Sequence, residues 1–271
     1  MSAAISHYEN FPVASWILPQ RLRRPVRLIY AFARAADDFA DEGDLTPQQR
    51  LGALRELSAQ LECIAARKPP AQPLFVELAS VIERHGLPLQ PFRDLLSAFQ
   101  QDVTKTRYAD FGEVMDYCRR SANPIGRLLL HLYGESAPRS LALADGICAS
   151  LQLINFLQDI EIDYRKGRVY LAQDEMARYA ISEAQIALGD VSGNWPSFMR
   201  DQIDRAHRML QAGAPLGRVL RGRVGMELRM IILGGECILK KLHDTGGDVF
   251  RFRPTLGRRD WLYMFYRALL A

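Results

Sequence analysis

Apolar residues recur at helical intervals along almost the entire chain, and no run alternates between apolar and polar positions as a β-strand would. Turn-forming residues divide this pattern into blocks of helix length, so the sequence predicts an all-α protein. The breaks lie at Pro19, Pro25, GDLTP (43–47), KPPAQP (68–73), HGLPLQP (85–91), SANP (121–124), YGESAP (133–138), GDVSGNWP (189–196), GAPLG (213–217) and DTGGD (244–248).

The breaks are short, and none has the length or biased composition of an interdomain linker. The chain also lacks internal repeats. Residues 1–271 are therefore expected to form a single helical domain. One helix start is predicted in detail, because Thr46, Pro47 and Gln49 have the order of an N-cap, a first-turn proline and a capping box.

The segment 151–163 predicts a helix with two polar stripes instead of one. In a helical projection, the side chains of the first stripe lie within about 60° of Gln152. Gln158 and Glu161 form the second stripe, on a separate arc. Because a surface helix needs only one polar face, we assign Gln158 and Glu161 to solvent and the first stripe to an interior cavity. The first stripe comprises Gln152, Asn155, Asp159 and Asp163.

A second acidic stripe is predicted near the N-terminus, in RRPVRLIYAFARAADDFADEGD. The side chains of Tyr30, Arg34, Asp37 and Asp41 fall within about 60° of one another in a helical projection. Considered alone, this stripe would be assigned to solvent. Together, two helices that each carry Asp-x-x-x-Asp predict a clamp in which Mg²⁺ ions hold a diphosphate between facing carboxylates.

Basic residues accompany both acidic stripes. Arg34 lies one turn before Asp37, and Arg165, Lys166 and Arg168 follow Asp163. Guanidinium and ammonium groups bind phosphate oxygens, so these residues are candidates for holding a diphosphate. For each arginine taken alone, a surface ion pair remains the alternative.

Composition and charge narrow the class of function only slightly. The chain has 271 residues, 48% of them apolar, and a formal net charge of +4, which is too small to predict nucleic-acid binding but suits an anionic ligand or a membrane surface. Four dispersed cysteines and the absence of a secretory signal predict reduced thiols and a cytoplasmic location.

Membrane contact is expected to be peripheral, at the inner face, because no long uninterrupted apolar run is present. The basic run RFRPTLGRRDW (251–261) could contact anionic lipid headgroups, although a solvated tail is the favoured interpretation. Other enzyme classes lack support, since the chain has no HExxH, GxSxG or Walker motif.

Three motifs resemble those of the squalene and phytoene synthase family. DDFAD (37–41) resembles its first aspartate motif, and NFLQDIEID (155–163) followed by GRVYL resembles its second. YCRRSANPIG (117–126) is similar to a Tyr-Cys stretch of its members that ends in a Gly-containing kink. The similarity extends from about residue 8 to residue 242. It implies an all-α isoprenoid synthase fold with a central cavity, and an isoprenyl diphosphate substrate.

The resemblance also implies roles for individual residues. It assigns Asp37, Asp41, Asn155, Asp159 and Asp163 to the metal and diphosphate clamp, with the four aspartates as the catalytic groups. Diphosphate binding or ordering of the site is implied for Arg34, Lys166, Arg168 and Tyr170. Contact with substrate is implied for Phe11, Tyr30 and Gln152.

The motifs HYENFPVAS (7–15), YAFARAADDFADE, YCRRSANPIGRLLL and DYRKGRVYL resemble in particular bacterial members that make hydroxysqualene for hopanoid biosynthesis. This implies Mg²⁺-dependent conversion of presqualene diphosphate and water to hydroxysqualene and diphosphate, without NADPH, followed by handover to other squalene-pathway enzymes. One alternative is head-to-head condensation of two farnesyl diphosphates to presqualene diphosphate, squalene or phytoene. A non-catalytic assembly protein on this fold is a remote alternative, because it would be expected to lose the carboxylates.

Gln158 occupies a position where many phytoene and dehydrosqualene synthases have arginine. Loss of a permanent charge would suit a substrate with one diphosphate instead of two, so we predict that Gln158 contacts substrate and selects for it. The hydrocarbon of such a substrate needs a dry tunnel. Candidates for its wall, each more simply explained by core packing, are Phe32, Phe39, Leu129, Leu153, Phe156 and Leu157.

Overall fold

The computed structural model describes residues 17–41 and 43–270, and in these ranges it contains fourteen α-helices, no β-strand and one isolated bridge between Tyr108 and Ala172. This confirms the predicted all-α class. The helices are α1 (Gln20–Asp41), α2 (Pro47–Ala65), α3 (Pro73–His85), α4 (Gln90–Asp102), α5 (Phe111–Ser121), α6 (Asn123–Tyr133), α7 (Pro138–Gln158), α8 (Ile160–Arg165), α9 (Gln173–Arg178), α10 (Glu183–Leu188), α11 (Trp195–Gly213), α12 (Leu216–Val219), α13 (Gly222–Asp244) and α14 (Arg258–Leu270).

The predicted breaks coincide with helix boundaries except at Pro25, where the prediction is wrong. Helix α1 continues through Pro25. The proline lies in the second turn, and its missing N–H deprives only the carbonyl of Arg21, an exposed residue that water can reach. The capping box at the start of α2 is confirmed, since Gln49 N–H donates to Thr46 Oγ1 and Thr46 N–H donates to Gln49 Oε1.

The segment 151–163 is two helices, and the sequence did not predict the break between them. Asp159 ends α7 and precedes α8, with φ −106° and ψ 14°. Backbone hydrogen bonds nevertheless connect Asp159 N to Asn155 O (2.9 Å) and Asp163 N to Asp159 O (2.8 Å). The four-residue repeat of the acidic stripe is therefore preserved across the break.

Helix α7 lies at the centre of the fold, packed against α6, α11 and α13. It is also long and apolar enough, with mean hydropathy 1.5 in its most apolar window, to satisfy the length and composition of a membrane span. The prediction from uninterrupted runs overlooked it. Half of that window is buried inside the fold, and core helices of globular domains commonly meet the same criteria.

Two apolar clusters flank the region between α1 and α7. The first consists mainly of residues from α1, α2, α3 and α4, and the second is built around α7, α11 and α13. Tyr133 and Val224 pack against both clusters, so these two side chains connect them. Gly126 brings α6 close to α7, because a Cβ atom there would lie 2.5 Å from Cys148 Sγ. The clusters enclose the cavities described below.

Candidate active site

Both acidic stripes line one cavity of about 320 Å³ between α1 and the α7–α8 pair, which we call the acidic cavity. The structure thus brings together residues that are more than 100 positions apart in the sequence. Ten of the predicted site residues lie in its wall: Tyr30, Arg34, Asp37, Asp41, Gln152, Asn155, Asp159, Asp163, Arg168 and Tyr170.

Lys166 and Arg168, which follow the stripe of α7 and α8 in the sequence, both pair with Asp41 of the α1 stripe. Arg168 Nη1 lies 2.6 Å from Asp41 Oδ1, and Lys166 donates a short hydrogen bond to the other oxygen of the same carboxylate. Burial alone would raise the pKa of Asp41, but the hydrogen bond from Lys166 and the charge of Arg168 lower it below its ordinary value. Asp41 is therefore ionised, and it holds the positively charged side chains of Lys166 and Arg168 beside the cavity.

Arg34 and Arg165 occupy different surroundings. Arg34 lines the acidic cavity and pairs with Asp38 (2.8 Å) and Asp37 (3.6 Å) within α1. Arg165 points away from the cavity, where it forms an exposed pair with Glu161. The prediction that Arg165 supplies charge to the diphosphate site is wrong, because the side chain leaves α8 on its solvent side.

Two of the aspartates have strongly raised pKa values. Burial raises the pKa of Asp37 to about 6, against the opposing charge of Arg34. Burial together with the charge of Asp159 raises the pKa of Asp163 to about 7. A cation placed between these helices would reverse both effects, so the cavity is electrostatically suited to bind one.

The donors in the acidic cavity are carboxylate oxygens and the amide of Asn155, which are the ligands that hard divalent cations prefer. Among residues 17–41 and 43–270, no three His, Cys, Asp or Glu side chains converge closely enough to enclose one ion. A divalent cation that is shared with a diphosphate takes one or two protein carboxylates and completes its shell with water and phosphate oxygens, so the oxygen donors of this cavity suit such an ion.

Sequence reasoning missed Asp102, a buried carboxylate of α4 in the cavity wall. The hydroxyl of Tyr117 donates to Asp102 Oδ2 (2.6 Å) and that of Tyr170 lies 3.3 Å from Oδ1. Burial raises the pKa of Asp102 to about 7, although the Tyr117 hydrogen bond opposes this. A signal was present, because Asp102 continues the apolar stripe of Leu95 and Phe99 on α4.

Arg253 was also missed, and it corrects the interpretation of the basic run 251–261 as a solvated tail. Arg253 Nε donates to Asp159 Oδ1 at 2.7 Å, although 94 residues separate them. The segment between α13 and α14 therefore passes beside the acidic cavity. No local pattern indicated this pair, because no feature of the neighbouring sequence determines where that segment lies.

Gln158 is not on a solvent face, and this prediction is wrong. Its side chain is 1% exposed, and Nε2 donates to the carbonyl of Pro254 at 2.7 Å. The residue is absent from the wall of the acidic cavity. The segment that carries Arg253 covers this side of α7, so Gln158 attaches that segment to the helix, and its predicted contact with substrate has no support.

Replacing Gln158 by leucine is expected to lower the free energy of unfolding by about 1–3 kcal/mol, because the buried Pro254 carbonyl loses its donor. Denaturant unfolding monitored by circular dichroism measures this. Gln152→Leu is the matched comparison, since Gln152 lies on the same helix but lines the cavities. A Gln158 variant of unchanged stability but altered KM would instead restore the substrate-contact role.

A second cavity, also of about 320 Å³, is mostly apolar and adjoins the acidic one. We call it the apolar cavity. Its wall follows α7 from Asn155 to Ala144, about 16 Å at the rise of an α-helix. The two cavities share the wall residues Tyr30, Ser121, Ile125, Gln152 and Asn155.

The far end of the apolar cavity carries two polar residues that the sequence did not indicate. Tyr133 ends α6, and Glu227 on α13 is only 4% exposed. Burial, together with the charge of Glu227, raises the pKa of the Tyr133 hydroxyl. The cavity is therefore apolar in the middle and polar at both ends.

Of the six predicted tunnel residues, Leu129 lines the apolar cavity and Phe156 lines the acidic cavity, and the other four line neither. Phe32 packs in the core against Phe75 and Phe92, and Phe39 is 37% exposed. Leu153 and Leu157 face a separate small pocket. Phe11, predicted to contact substrate, lies outside the described residues.

The helical fold and a carboxylate-lined cavity that continues into an apolar one define an isoprenoid synthase class of enzyme. The sequence pattern of the squalene/phytoene synthase family matches residues 5–260. The chain belongs to this family, whose enzymes generally use a divalent metal.

Individual relatives agree with this assignment. The chain is 36% identical over 243 residues to the hydroxysqualene synthase of Sinorhizobium fredii, covering 89% of this chain and 82% of the relative. It is 37% identical over 236 residues to that of Rhodopseudomonas palustris, covering 86% and 79%. The crystal structure of squalene synthase HpnC from Alicyclobacillus acidocaldarius superposes with a TM-score of 0.82 at 32% identity, covering 89% of this chain and 90% of that one.

Proposed function

We propose that this protein converts presqualene diphosphate and water to hydroxysqualene, diphosphate and a proton, with Mg²⁺ as its metal. The observation that carries the proposal is the continuity of the acidic and apolar cavities through shared wall residues. One cavity suits a diphosphate and the other suits a long hydrocarbon. The similarity to two hydroxysqualene synthases supports this choice among the reactions of the family.

The residues that would hold Mg²⁺ are Asp37, Asp41, Asn155, Asp159 and Asp163, which contribute oxygen donors from both sides of the acidic cavity. When bound, the metal supplies positive charge that stabilises the departing diphosphate. Arg34, Lys166 and Arg168 stand beside these carboxylates, so they bind the phosphate oxygens that the metal leaves uncovered.

Asp102, on α4, holds two aromatic side chains of this site in position. Through its hydrogen bonds it fixes the rings of Tyr117 and Tyr170, and Tyr170 in turn stacks on Phe156 with ring centroids 4.0 Å apart. Tyr117 and Phe156 both line the acidic cavity next to the wall shared with the apolar one. Aromatic rings there stabilise a carbocation without reacting with it.

The product depends on when water reaches the cation. Apolar side chains of α6, α7 and α13 hold the hydrocarbon and exclude bulk water. The junction of the two cavities has four polar side chains among the described residues, and each can hydrogen-bond a single water near the reacting carbon: Tyr30, Ser121, Gln152 and Asn155. Addition of that water requires no reductant, hence no NADPH.

Incubation of the protein with presqualene diphosphate and Mg²⁺, with and without NADPH, tests the proposal by mass analysis of the product. We expect hydroxysqualene in both reactions. Squalene formed only with NADPH, or no turnover, would overturn it. A parallel reaction with labelled farnesyl diphosphate alone identifies the alternative, because a C30 product from that substrate indicates head-to-head condensation.

A further inference from the structure

The outward face of α14 is apolar, where a surface helix would ordinarily be polar. Met264 and Ala268 are fully buried and pack against Ile17 and Met230. On the opposite side, seven apolar or aromatic side chains span about 200° of a helical projection. They are between 38% and 74% exposed, and they are Trp261, Leu262, Tyr263, Phe265, Tyr266, Leu269 and Leu270.

This outward face is held in place at both ends of α14. Lys241 Nζ pairs with Asp260 at 2.5 Å, and Arg229 Nε donates to the carbonyl of Ala268 at 2.9 Å. These contacts place α14 antiparallel to α13. The other side of α13 contributes Val224 to the wall of the apolar cavity. The outward face of α14 is thus a fixed surface, one helix away from the apolar cavity.

Positive charge is concentrated in the same part of the chain. Helix α14 contains three arginines and one aspartate, a formal charge of +2, whereas Arg251 and Arg253 just before it pair with Asp248 and Asp159. Arg258 and Arg259 are exposed at the start of α14, and Arg267 is exposed near its end. The one aspartate, Asp260, is paired with Lys241. The apolar face is therefore flanked by arginines at both ends.

We propose that the outward face of α14 binds the surface of an anionic lipid bilayer, with the helix lying in the plane of the interface. Leucine and phenylalanine enter the acyl boundary, tryptophan and tyrosine suit the headgroup level, and the arginines bind anionic headgroups. A second copy of the chain fits less well, because a symmetric contact would place two helices of formal charge +2 against each other.

Co-sedimentation with lipid vesicles tests this proposal without any substrate, so its outcome is independent of the proposed reaction. We expect the full chain to bind phosphatidylcholine vesicles that contain phosphatidylglycerol, and to bind pure phosphatidylcholine vesicles much more weakly. Arg258→Gln with Arg259→Gln should weaken binding about 25-fold, at about fivefold for each arginine near the surface. Added salt should also weaken binding to the vesicles that contain phosphatidylglycerol.

The apolar contribution is tested with Leu262→Ser and Tyr266→Ser together, which should weaken vesicle binding at least tenfold, on the order expected for two buried apolar side chains. Both residues are exposed, so the melting temperature should not fall. Leu188→Ser is the matched control, since Leu188 is also exposed but lies on α10, and it should bind as the parent does.

Three results would overturn the proposal. The first is failure of the full chain to bind either vesicle. The second is binding that the α14 variants leave unchanged. The third is a lipid-free dimer, measured by sedimentation equilibrium, that the Leu262 and Tyr266 substitutions dissociate while vesicle binding is absent, since the face would then be an interface between copies.

Discussion

Asp159→Asn is expected to lower kcat for hydroxysqualene formation by at least about 10²-fold, the scale on which losing one group that stabilises transition-state charge acts. Asparagine keeps the size of the side chain and one oxygen that can accept the hydrogen bond from Arg253. It removes the negative charge that faces the acidic cavity from the break between α7 and α8. The fold should therefore survive while the site loses a metal ligand.

The measurement is single-turnover and steady-state product formation from presqualene diphosphate at saturating Mg²⁺. Glu161→Gln is the matched control, because it makes the same chemical change two residues later, at a carboxylate paired with exposed Arg165. Circular dichroism and the melting temperature should be the same for both variants. Equal rates in the two variants would return Asp159 to a structural role as the partner of Arg253.

The second large effect is a dependence of Mg²⁺ affinity on pH. Mg²⁺ must displace the protons that burial keeps on Asp37, with a pKa of about 6, and on Asp163, with a pKa of about 7. Titration of two independent carboxyls with these pKa values gives an apparent affinity about 10²-fold higher at about pH 7.5 than at about pH 5.5. Asp41 contributes little, because its pKa is lowered and it is already ionised.

As pH rises, the Mg²⁺ affinity should increase, whereas the free energy of unfolding of the metal-free protein should decrease. Both carboxyls have folded-state pKa values above the ordinary value near 4, so the folded state binds more protons than the unfolded state between about pH 4 and pH 7. Their contribution to stability is therefore lost as pH rises through that window. We expect the melting temperature without Mg²⁺ to fall by several degrees, with the loss recovered on adding Mg²⁺.

Isothermal titration of the protein with Mg²⁺ at the two pH values, at constant ionic strength, measures the affinity. Asp163→Asn should remove most of the pH dependence, because the ionised fraction of the Asp163 carboxyl rises about 25-fold over this range, against about fourfold for Asp37. An affinity equal at both pH values in the parent protein would contradict the assignment of these carboxylates as ligands.

Much of the fold follows from local pattern. The helix boundaries at Thr46, at residues 121–124 and at residues 133–138 agree with the structure because caps, prolines and glycines act within a few residues. Pro25 misled the prediction, since a proline in an early turn of a helix costs less than one in its interior. The α7–α8 break was missed because the backbone hydrogen bonds continue across it.

The sequence by itself determined the two acidic stripes, because residues at i and i+4 share a helical face whatever surrounds the helix. Only the tertiary structure decided which faces are buried. Gln158 lies under a segment 96 residues away, and Asp159 pairs with Arg253 at a separation of 94 residues. Such contacts depend on how distant parts of the chain pack, and no local periodicity encodes that packing. The acidic cavity exists for the same reason, since it forms where α1 and the α7–α8 pair meet.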